Sequence, residues 1–235
     1  MQPGDEYFQQ RKKKLDELRE KGIEPYPHSY DWKHTAVEIL EKHKNLNKEQ
    51  KDTKTVSIAG RIMTFRPMGK AGFAHLQDQT GRLQIYVRED VIGKDNYFIF
   101  QKLDLGDIIG VKGHVFRTKL GEITVWTEEL ILLSKSLRPL PEKWHGLKDM
   151  ELRYRYRYLD LIANPEVKKI FEVRSKIIDA VREFLKSKGF LEVDTPVLQP
   201  LYGGANARPF KTFLHDLKMD LYMRISDELY LKRLI

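Results

Sequence analysis

The stretch GFAHLQDQTGRLQIYVRED, from Gly72 to Asp90, predicts two β-strands joined by a turn at Thr80-Gly81. Side chains of a strand alternate between the two faces of a sheet. One face collects small or apolar side chains, namely Ala74, Leu76, Leu83, Ile85 and Val87. The other face collects rings, amides and a cation, namely Phe73, His75, Gln77, Gln84, Tyr86 and Arg88. Rings stack on unpaired bases, amides read base edges and arginine pairs with phosphate, so this face predicts a surface for single-stranded nucleic acid.

The composition is typical of a folded protein in a reducing compartment. Of the 235 residues, 41% are hydrophobic and 32% charged, enough for one large domain or two ordinary ones. The net charge of +8 favours a polyanionic partner, although only weakly. The chain has no cysteine, which excludes disulfides and cysteine-ligated metal sites. No apolar run approaches the roughly 20 residues that span a bilayer, and the N-terminal residues lack a secretory signal, so we expect a cytoplasmic protein without a membrane partner.

Shifts in composition divide the chain into four segments. Residues 1–54 are charged and have a helical pattern, residues 55–135 alternate like strands, residues 136–164 form a connector, and residues 165–235 begin a further domain. The basic run Arg11–Lys14 suits an RNA-binding arm or a solvated helix face, and the acidic residues beside it favour the solvated face.

The second segment has the element order of a small Greek-key barrel. Its predicted elements are the strands Thr55–Arg66, Phe73–Thr80 and Arg82–Asp90, a helix over Asp95–Leu103, and the strands Asp107–Lys119 and Glu122–Lys135. The order β-β-β-α-β-β is that of an OB-fold, whose strand 2–3 face and adjoining loops bind oligonucleotides. The polar face of the hairpin is therefore the face that this architecture uses for binding.

The remaining segments are predicted to mix helices and strands. Arginine and tyrosine alternate through RYRYRY (153–158), which suits RNA contact or, as the favoured interpretation, packing of arginine stems on rings between domains. Only a strand there would place all three tyrosines on one face. In the last segment the pattern predicts a helix from Pro165 to Lys188 ended by Gly189, and then a strand in FLEVDTPVLQP (190–200) that ends at Pro196 or Pro200. Short strands over 209–214 and 217–225 and a final helix capped by Ser226 are predicted to follow.

Taken together, these segments resemble class II lysyl-tRNA synthetases over nearly the whole chain. GRIMTFRPMGKAGFAHLQDQTGRLQIYVRED (60–90) is similar to the anticodon-binding barrel of that family, and LRPLPEKWHGLKDMELRYRYRYLDL (137–161) to its connector. GFLEVDTPVLQP (189–200) with the preceding helix resembles motif 1, which builds the dimer interface. GGANARPF (203–210) and RISDELYLKRLI (224–235) resemble the start of the amino-acid pocket. The resemblance implies an α+β protein, with a five-stranded OB barrel followed by the start of an antiparallel class II catalytic domain.

The resemblance also implies roles for barrel residues. Phe73 would stack on an anticodon base, Gln84 and Glu122 would read the central uridine, and Arg66 would contact nearby backbone. Face alternation selects Phe73 and Gln84 independently. The alternatives are a half-buried sheet aromatic for Phe73 and a turn-flanking acid for Glu122.

Further roles fall in the last segment. The carbonyl of Gly204 and the carboxylate of Glu228 would hold the α-ammonium of lysine, because glycine lets a ligand approach the backbone and a carboxylate suits a buried cation. Pro196 would lie at the dimer interface. The alternatives are a first-turn acid of a helix for Glu228 and a strand terminator for Pro196. Two places depart from the family: Tyr156 replaces the usual glutamine, and Ser226-Asp227 replaces the usual Ala-Pro.

The arginines with which this family binds ATP are not found. Neither Phe65-Arg66 nor Phe116-Arg117 is followed by the glutamate of motif 2, and no Glu-Arg dipeptide occurs. We therefore expect an incomplete catalytic domain, no catalytic residue or metal ligand in this chain, and no activity of the chain alone. By resemblance the whole enzyme uses ATP and Mg²⁺, and its partners are tRNA(Lys), lysine and a second copy of itself. A non-catalytic tRNA-binding module is the alternative, and an aspartyl- or asparaginyl-type enzyme is opposed by Glu228, where those relatives usually carry glutamine.

Overall fold

The hairpin of residues 72–90 lies in a closed five-stranded barrel in the computed structural model, which describes residues 5–141 and 147–235. The chain divides into two compact units, Met1–Asn164 and Pro165–Ile235. The first unit begins with helices α1 (Asp5–Glu20) and α2 (Ala36–Lys42). Its barrel elements are β1 (Lys51–Met68), β2 (Ala71–Gln77), β3 (Arg82–Arg88), α3 (Glu89–Lys102), β4 (Ile108–Arg117) and β5 (Ile123–Ser134).

The strand order around the barrel is β1-β2-β3-β5-β4, and β4 pairs back with β1. Only the β3–β5 pair among these is parallel. The apolar face of the hairpin points into the barrel, where Leu76, Ile85 and Val87 are completely buried. The predicted OB architecture and the predicted inward face are therefore confirmed.

The two largest differences between predicted and observed element boundaries of the barrel lie at the starts of β1 and α3. The first strand begins at Lys51 rather than Thr55, because Lys51 pairs with Phe116 across an irregularity in the β1–β4 register. The helix begins at Glu89 rather than Asp95, and Gly93 interrupts it with a φ of +80°. Both differences follow from distant pairing and a backbone kink that local alternation does not register.

The basic run of α1 is not a solvated face as a whole. Arg11 is 8% exposed, and its guanidinium donates to the carbonyl oxygens of Ser136, at 2.9 Å, and Arg138, at 3.2 Å. The ammonium of Lys14 lies 2.6 Å from a carboxylate oxygen of Asp104. Residues three and four apart share one side of a helix, so Arg11 and Lys14 face the barrel beside the buried Leu15. The prediction of a solvated helix face was therefore wrong for Arg11 and Lys14.

Residues 150–155 and 157–163 of the connector are helical, so the strand alternative for residues 153–158 is wrong. Helix α4 (Met150–Arg155) and helix α5 (Arg157–Ala163) meet at Tyr156. Both Arg153 and Arg157 donate to the fully buried carboxylate of Asp160. Burial raises the pKa of Asp160, but hydrogen bonds from the Asn164 amide and from Arg153 outweigh burial and hold that pKa below its usual value. The bond from Arg153 joins α4 to α5, whereas the bond from Arg157 lies within α5.

The second unit contains one long helix and a small sheet. Its elements are α6 (Pro165–Ser187), β6 (Leu198–Gln199), β7 (Lys211–Leu214), β8 (Met219–Met223) and α7 (Glu228–Leu231). The sheet order is β6-β8-β7, with antiparallel pairing. Gly189 follows α6 with a φ of +82°, as the helix-ending glycine is expected to do.

Two predictions for this unit were too long. The strand expected over 190–200 is reduced to Leu198–Gln199, because only these two residues pair with β8 and prolines flank them at 196 and 200. The final helix is a single turn, Glu228–Leu231. Its capping position is Asp227, although the hydroxyl of Ser226 accepts the backbone N–H of Glu228 at 3.2 Å.

Candidate nucleic-acid interface

Four half-buried rings form a continuous strip on the outside of the barrel. Strand pairing places Phe73 opposite Tyr86, and Tyr86 opposite Trp126. The rings of Phe73 and Tyr86 are stacked with centroids 4.5 Å apart, and Trp126 meets Tyr86 edge-on at 5.4 Å. Phe116 closes the group 5.7 Å from Trp126. We call Phe73, Tyr86, Phe116 and Trp126 the aromatic strip, and rings on a rigid sheet of this kind are platforms on which bases stack.

A hydrogen-bonded group of polar side chains lies on the same outer wall. The carboxylate of Glu122 accepts from the Gln84 amide at 2.6 Å and lies 2.7 Å from Nε2 of His75. The hydroxyl of Thr124 donates to the Gln84 carbonyl oxygen at 2.8 Å, and Nδ1 of His75 lies 2.6 Å from Oγ1 of Thr64. We call Thr64, His75, Gln84, Glu122 and Thr124 the polar cluster. Register explains it, because β2, β3 and β5 bring His75, Gln84 and Thr124 side by side.

A tight turn between β4 and β5 positions Glu122. Gly121 has a φ of +94°, a backbone conformation that glycine adopts without strain. The N–H of Gly121 donates to the carbonyl of Thr118 at 2.9 Å, and the N–H of Glu122 donates to the Thr118 hydroxyl at 3.0 Å. The turn therefore delivers the Glu122 side chain to the edge of the polar cluster.

A single carboxylate orders the turn between β2 and β3. Oδ1 of Asp78 accepts from the backbone N–H groups of Thr80, at 2.7 Å, and Gly81, at 2.9 Å. Its other oxygen accepts the N–H of Ala36 in the first turn of α2, at 2.7 Å. Burial raises the pKa of Asp78, but these bonds, led by the one from Ala36, hold the pKa below its usual value. The hairpin that carries Phe73 and Gln84 is thus fastened to the N-terminal helices.

Cations flank the aromatic strip. The guanidinium of Arg88 and the ammonium of Lys51 each lie 5.5 Å from the ring centroid of Trp126. Arg66 is exposed and lies opposite Phe73 in the β1–β2 register. Positive charge beside a stacking platform is what a phosphate backbone requires.

The structure brings most of the predicted barrel residues into one place. Gln84 and Glu122 touch directly, and Phe73 and Arg66 are cross-strand neighbours on the same wall. The sequence analysis missed Trp126 and Phe116. The alternation of ITVW (123–126) could have placed Trp126 on the outer face of its own strand. The sequence of neither strand predicts that β5 pairs with β3, which brings Trp126 to the hairpin.

The predicted pocket residues of the second unit are also neighbours. Gly204 has a φ of +83°, and a Cβ atom on it would lie 2.9 Å from Cβ of Glu228 and 2.9 Å from Oγ of Ser226. The carboxylate of Glu228 is paired with the ammonium of Lys232, one turn further along the chain. Pro196 is exposed, and its carbonyl accepts from the Gln199 amide at 3.0 Å. Glycine is therefore required at 204 both by backbone conformation and by the space beside Glu228.

Comparison with known proteins agrees with this geometry. Residues 56–133 match the family model described as OB-fold nucleic acid binding domain, and residues 149–235 match the model for class II tRNA synthetases of the D, K and N types. The chain is 60% identical to the lysine–tRNA ligase of Carboxydothermus hydrogenoformans over 225 residues, which are 96% of this chain and 45% of that protein. Along nearly its whole length, this chain is similar to part of a class II lysyl-tRNA synthetase.

Other lysyl-tRNA synthetases match to a similar degree. Identity is 60% over 230 residues with the lysine–tRNA ligase of Pelotomaculum thermopropionicum and 53% over 230 residues with that of Bacillus subtilis. These alignments cover 98% and 97% of this chain but 44% and 46% of the relatives. The chain therefore spans about half the length of the curated relatives that it matches, and the recognition made from sequence motifs is confirmed.

Two further observations bear on this chain. No helix among the described residues is long and apolar enough to cross a membrane. Within residues 5–141 and 147–235, no three His, Asp or Glu side chains are grouped so as to hold a metal ion.

Proposed function

We propose that this chain selects tRNA(Lys) for a lysine–tRNA ligase, and that its barrel binds the anticodon on the outer wall. The observation that carries the proposal is that the outer wall holds both the stacked rings of Phe73 and Tyr86 and the hydrogen-bonded pair of Gln84 and Glu122. A stacking platform holds a base of any kind, whereas hydrogen-bonding groups at its edge distinguish one base from another. The polar cluster supplies those groups.

The polar cluster suits uridine better than cytidine at the central position. Uridine presents an N3–H donor between two carbonyl acceptors, whereas cytidine presents an N3 lone pair. An ionised carboxylate only accepts, while the Gln84 amide keeps a second N–H after bonding Glu122. Glu122 is therefore suited to accept from N3–H and Gln84 to donate to a neighbouring carbonyl. Cytidine would bring its N3 lone pair against the carboxylate, and this repulsion is the proposed basis of discrimination.

We also propose that the second unit contributes one wall of a lysine pocket. Lys232 supports this role, because its ammonium pairs with the Glu228 carboxylate as another alkylammonium group would. The α-ammonium of lysine would take that place and be held by Glu228 and the carbonyl of Gly204. In this proposal the whole enzyme joins lysine to tRNA(Lys) with ATP and Mg²⁺ in the cytoplasm, works as a homodimer with Pro196 at the interface, and draws its catalytic residues from outside these 235 residues.

Binding of stem-loop RNA to the full chain tests the barrel proposal. A lysine anticodon stem-loop with central uridine should bind more tightly than the same RNA with central cytidine, and affinity should fall as salt rises because phosphates are contacted. Phe73→Ala should weaken binding of the uridine RNA by about 1–3 kcal/mol, the cost of a lost stacking platform. Trp32→Ala, which removes an exposed ring outside the aromatic strip, is the matched control. Equal affinity for both RNAs would overturn the proposal.

A separate measurement addresses catalysis. Lysine-dependent exchange of pyrophosphate into ATP reports adenylate formation without any need for tRNA. We expect no exchange with this chain alone. Exchange above background would show that the chain contains catalytic groups to which we have assigned no residue.

A further inference from the structure

His75 contacts two other members of the polar cluster but makes no contact with the base in the proposed function. Its Nε2 lies 2.7 Å from Oε1 of Glu122 and its Nδ1 lies 2.6 Å from Oγ1 of Thr64. Because an ionised carboxylate only accepts hydrogen bonds, Nε2 carries a proton and its N–H donates a hydrogen bond to Glu122. This is true of the neutral ring, whose Nδ1 then accepts from the Thr64 hydroxyl, and of the charged ring.

The bond from His75 matters because Glu122 is otherwise poorly restrained. Its side chain is 48% exposed and follows the β4–β5 turn directly. An exposed glutamate in such a place samples several rotamers, and fixing one of them on binding costs free energy. In the structure both carboxylate oxygens are already held, Oε1 by His75 and Oε2 by Gln84. The cost of ordering is thereby met before any ligand arrives.

We propose that His75 is a positioning residue that aims the Glu122 carboxylate at the N3–H of a central uridine and so contributes to the choice of uridine over cytidine. His75 itself need not touch the base. Hydrogen bonds link Thr64 on β1 to His75 on β2 and His75 to Glu122. These bonds fix the position of the Glu122 carboxylate. The inference rests on the proposed function, since it requires that Glu122 reads a base.

Affinities of the full chain for two RNAs test it. The RNAs are lysine anticodon stem-loops that differ only in having uridine or cytidine at the central position. His75→Ala should lower affinity for the uridine RNA by about three- to tenfold, the effect of freeing one side chain. Its effect on the cytidine RNA should stay within about twofold, since that RNA gains nothing from an ordered carboxylate. His75→Gln places an amide N–H near the position of Nε2 and should restore most of the preference.

Coupling to Glu122 separates positioning from a general contribution to the fold. In the Glu122→Ala background, the further change His75→Ala should have no additional effect on the preference for uridine, because the side chain that it aims is gone. His114 offers a matched control, since its Nδ1 lies 2.8 Å from a Glu128 carboxylate oxygen in a second histidine–glutamate pair of the barrel. His114→Ala should leave the ratio of the two affinities unchanged.

The possible outcomes distinguish the inference from the proposed function. If the unchanged chain binds both RNAs equally, the proposed function fails and the inference fails with it. If the unchanged chain prefers uridine but His75→Ala keeps the full ratio, or lowers both affinities equally, the positioning role is wrong and the proposed function stands. Additive effects of His75→Ala and Glu122→Ala would lead to the same conclusion. Should His75→Ala fail to fold, failure of the folded His75→Gln variant to keep the preference would overturn the inference.

Discussion

At the scale of single residues, Gly113 has no room for a side chain. It lies at the register irregularity between β4 and β5, and a Cβ atom there would be 1.9 Å from the backbone carbonyl oxygen of Trp126. A backbone atom of a paired strand cannot turn aside as a flexible side chain can. Gly113 therefore allows the close approach that supports the Trp126 end of the aromatic strip.

We expect Gly113→Ala to lower the free energy of unfolding by about 1–3 kcal/mol, the usual cost of forcing extra atoms into a packed interior. Urea denaturation monitored by tryptophan fluorescence measures the change. Gly81→Ala is the control, because the nearest atom to its new Cβ is a side-chain carbon of Val37 at 3.4 Å, an ordinary contact. Equal stability of the two variants would show that the barrel relaxes around residue 113 more easily than its geometry implies.

Residues whose roles are local were predictable, and residues whose roles depend on distant partners were not. Phe73 and Gln84 were placed on one face by alternation within their own strands, and the β2–β3 register agrees with that face. Phe73 is half-buried there, and Gln84 is only 6% exposed. The bond from His75 to Glu122 joins residues 47 positions apart, so no local pattern indicates it. Arg11 was misread for the same reason, since its acceptors at 136 and 138 lie more than a hundred residues away, at the start of the connector.

At the scale of elements, the turn between β2 and β3 depends on the charge of Asp78. Its pKa is held below the usual value, so folding favours the ionised form. A carboxylate whose pKa falls on folding adds stability above its unfolded pKa, and this stability is lost as the pH falls through the lowered folded value. The hairpin and α2 should therefore loosen together in acid.

Asp78→Asn should lower the free energy of unfolding at pH 7 by about 1–3 kcal/mol, because a neutral amide accepts these N–H groups less strongly than a carboxylate. The difference should shrink as the pH falls from about 4, the pKa of aspartate in the unfolded chain, towards the lowered pKa of Asp78 in the folded chain. Urea denaturation across this range provides the measurement. Asp16→Asn, at an exposed position of α1, controls for the loss of one charge. A pH-independent difference would mean that the shape of the side chain, and not its charge, orders the turn.

Element types were predicted better than element lengths. The periodic spacing of apolar residues predicted the helix α6. Gly189, which has a positive φ, marked its end. The strand expected over 190–200 had the right composition, but a strand also needs a hydrogen-bonded neighbour, and β8 supplies one only at Leu198 and Gln199. Composition records the preference of a segment, whereas pairing decides its extent.

At the scale of the whole molecule, the two units differ in how far they bury their apolar side chains. The first unit encloses a continuous core that includes Ile62, Leu76 and Phe100. Within the described part of the second unit, Val167 is the one apolar side chain that is buried. Along α6, Ile177 and Phe184 remain 59% and 60% exposed and lie on one side of the helix, seven residues apart. An apolar surface of this kind favours association with another molecule.

We expect the chain to associate with itself through α6, as the proposed homodimer requires. Sedimentation equilibrium should show a mass that rises with protein concentration, and the double change Ile177→Asp with Phe184→Asp should reduce it to that of a single chain. Binding of the anticodon stem-loop should persist in this variant, because the outer wall of the barrel belongs to the other unit. Lys169→Asp with Lys176→Asp introduces the same side chains at the same spacing on exposed charged positions of α6, and should leave the association intact. If the unchanged protein has the mass of a single chain at every concentration, the proposed dimer is wrong. If both double variants lose association, the loss is caused by a less stable α6 and not by removal of its apolar side chains.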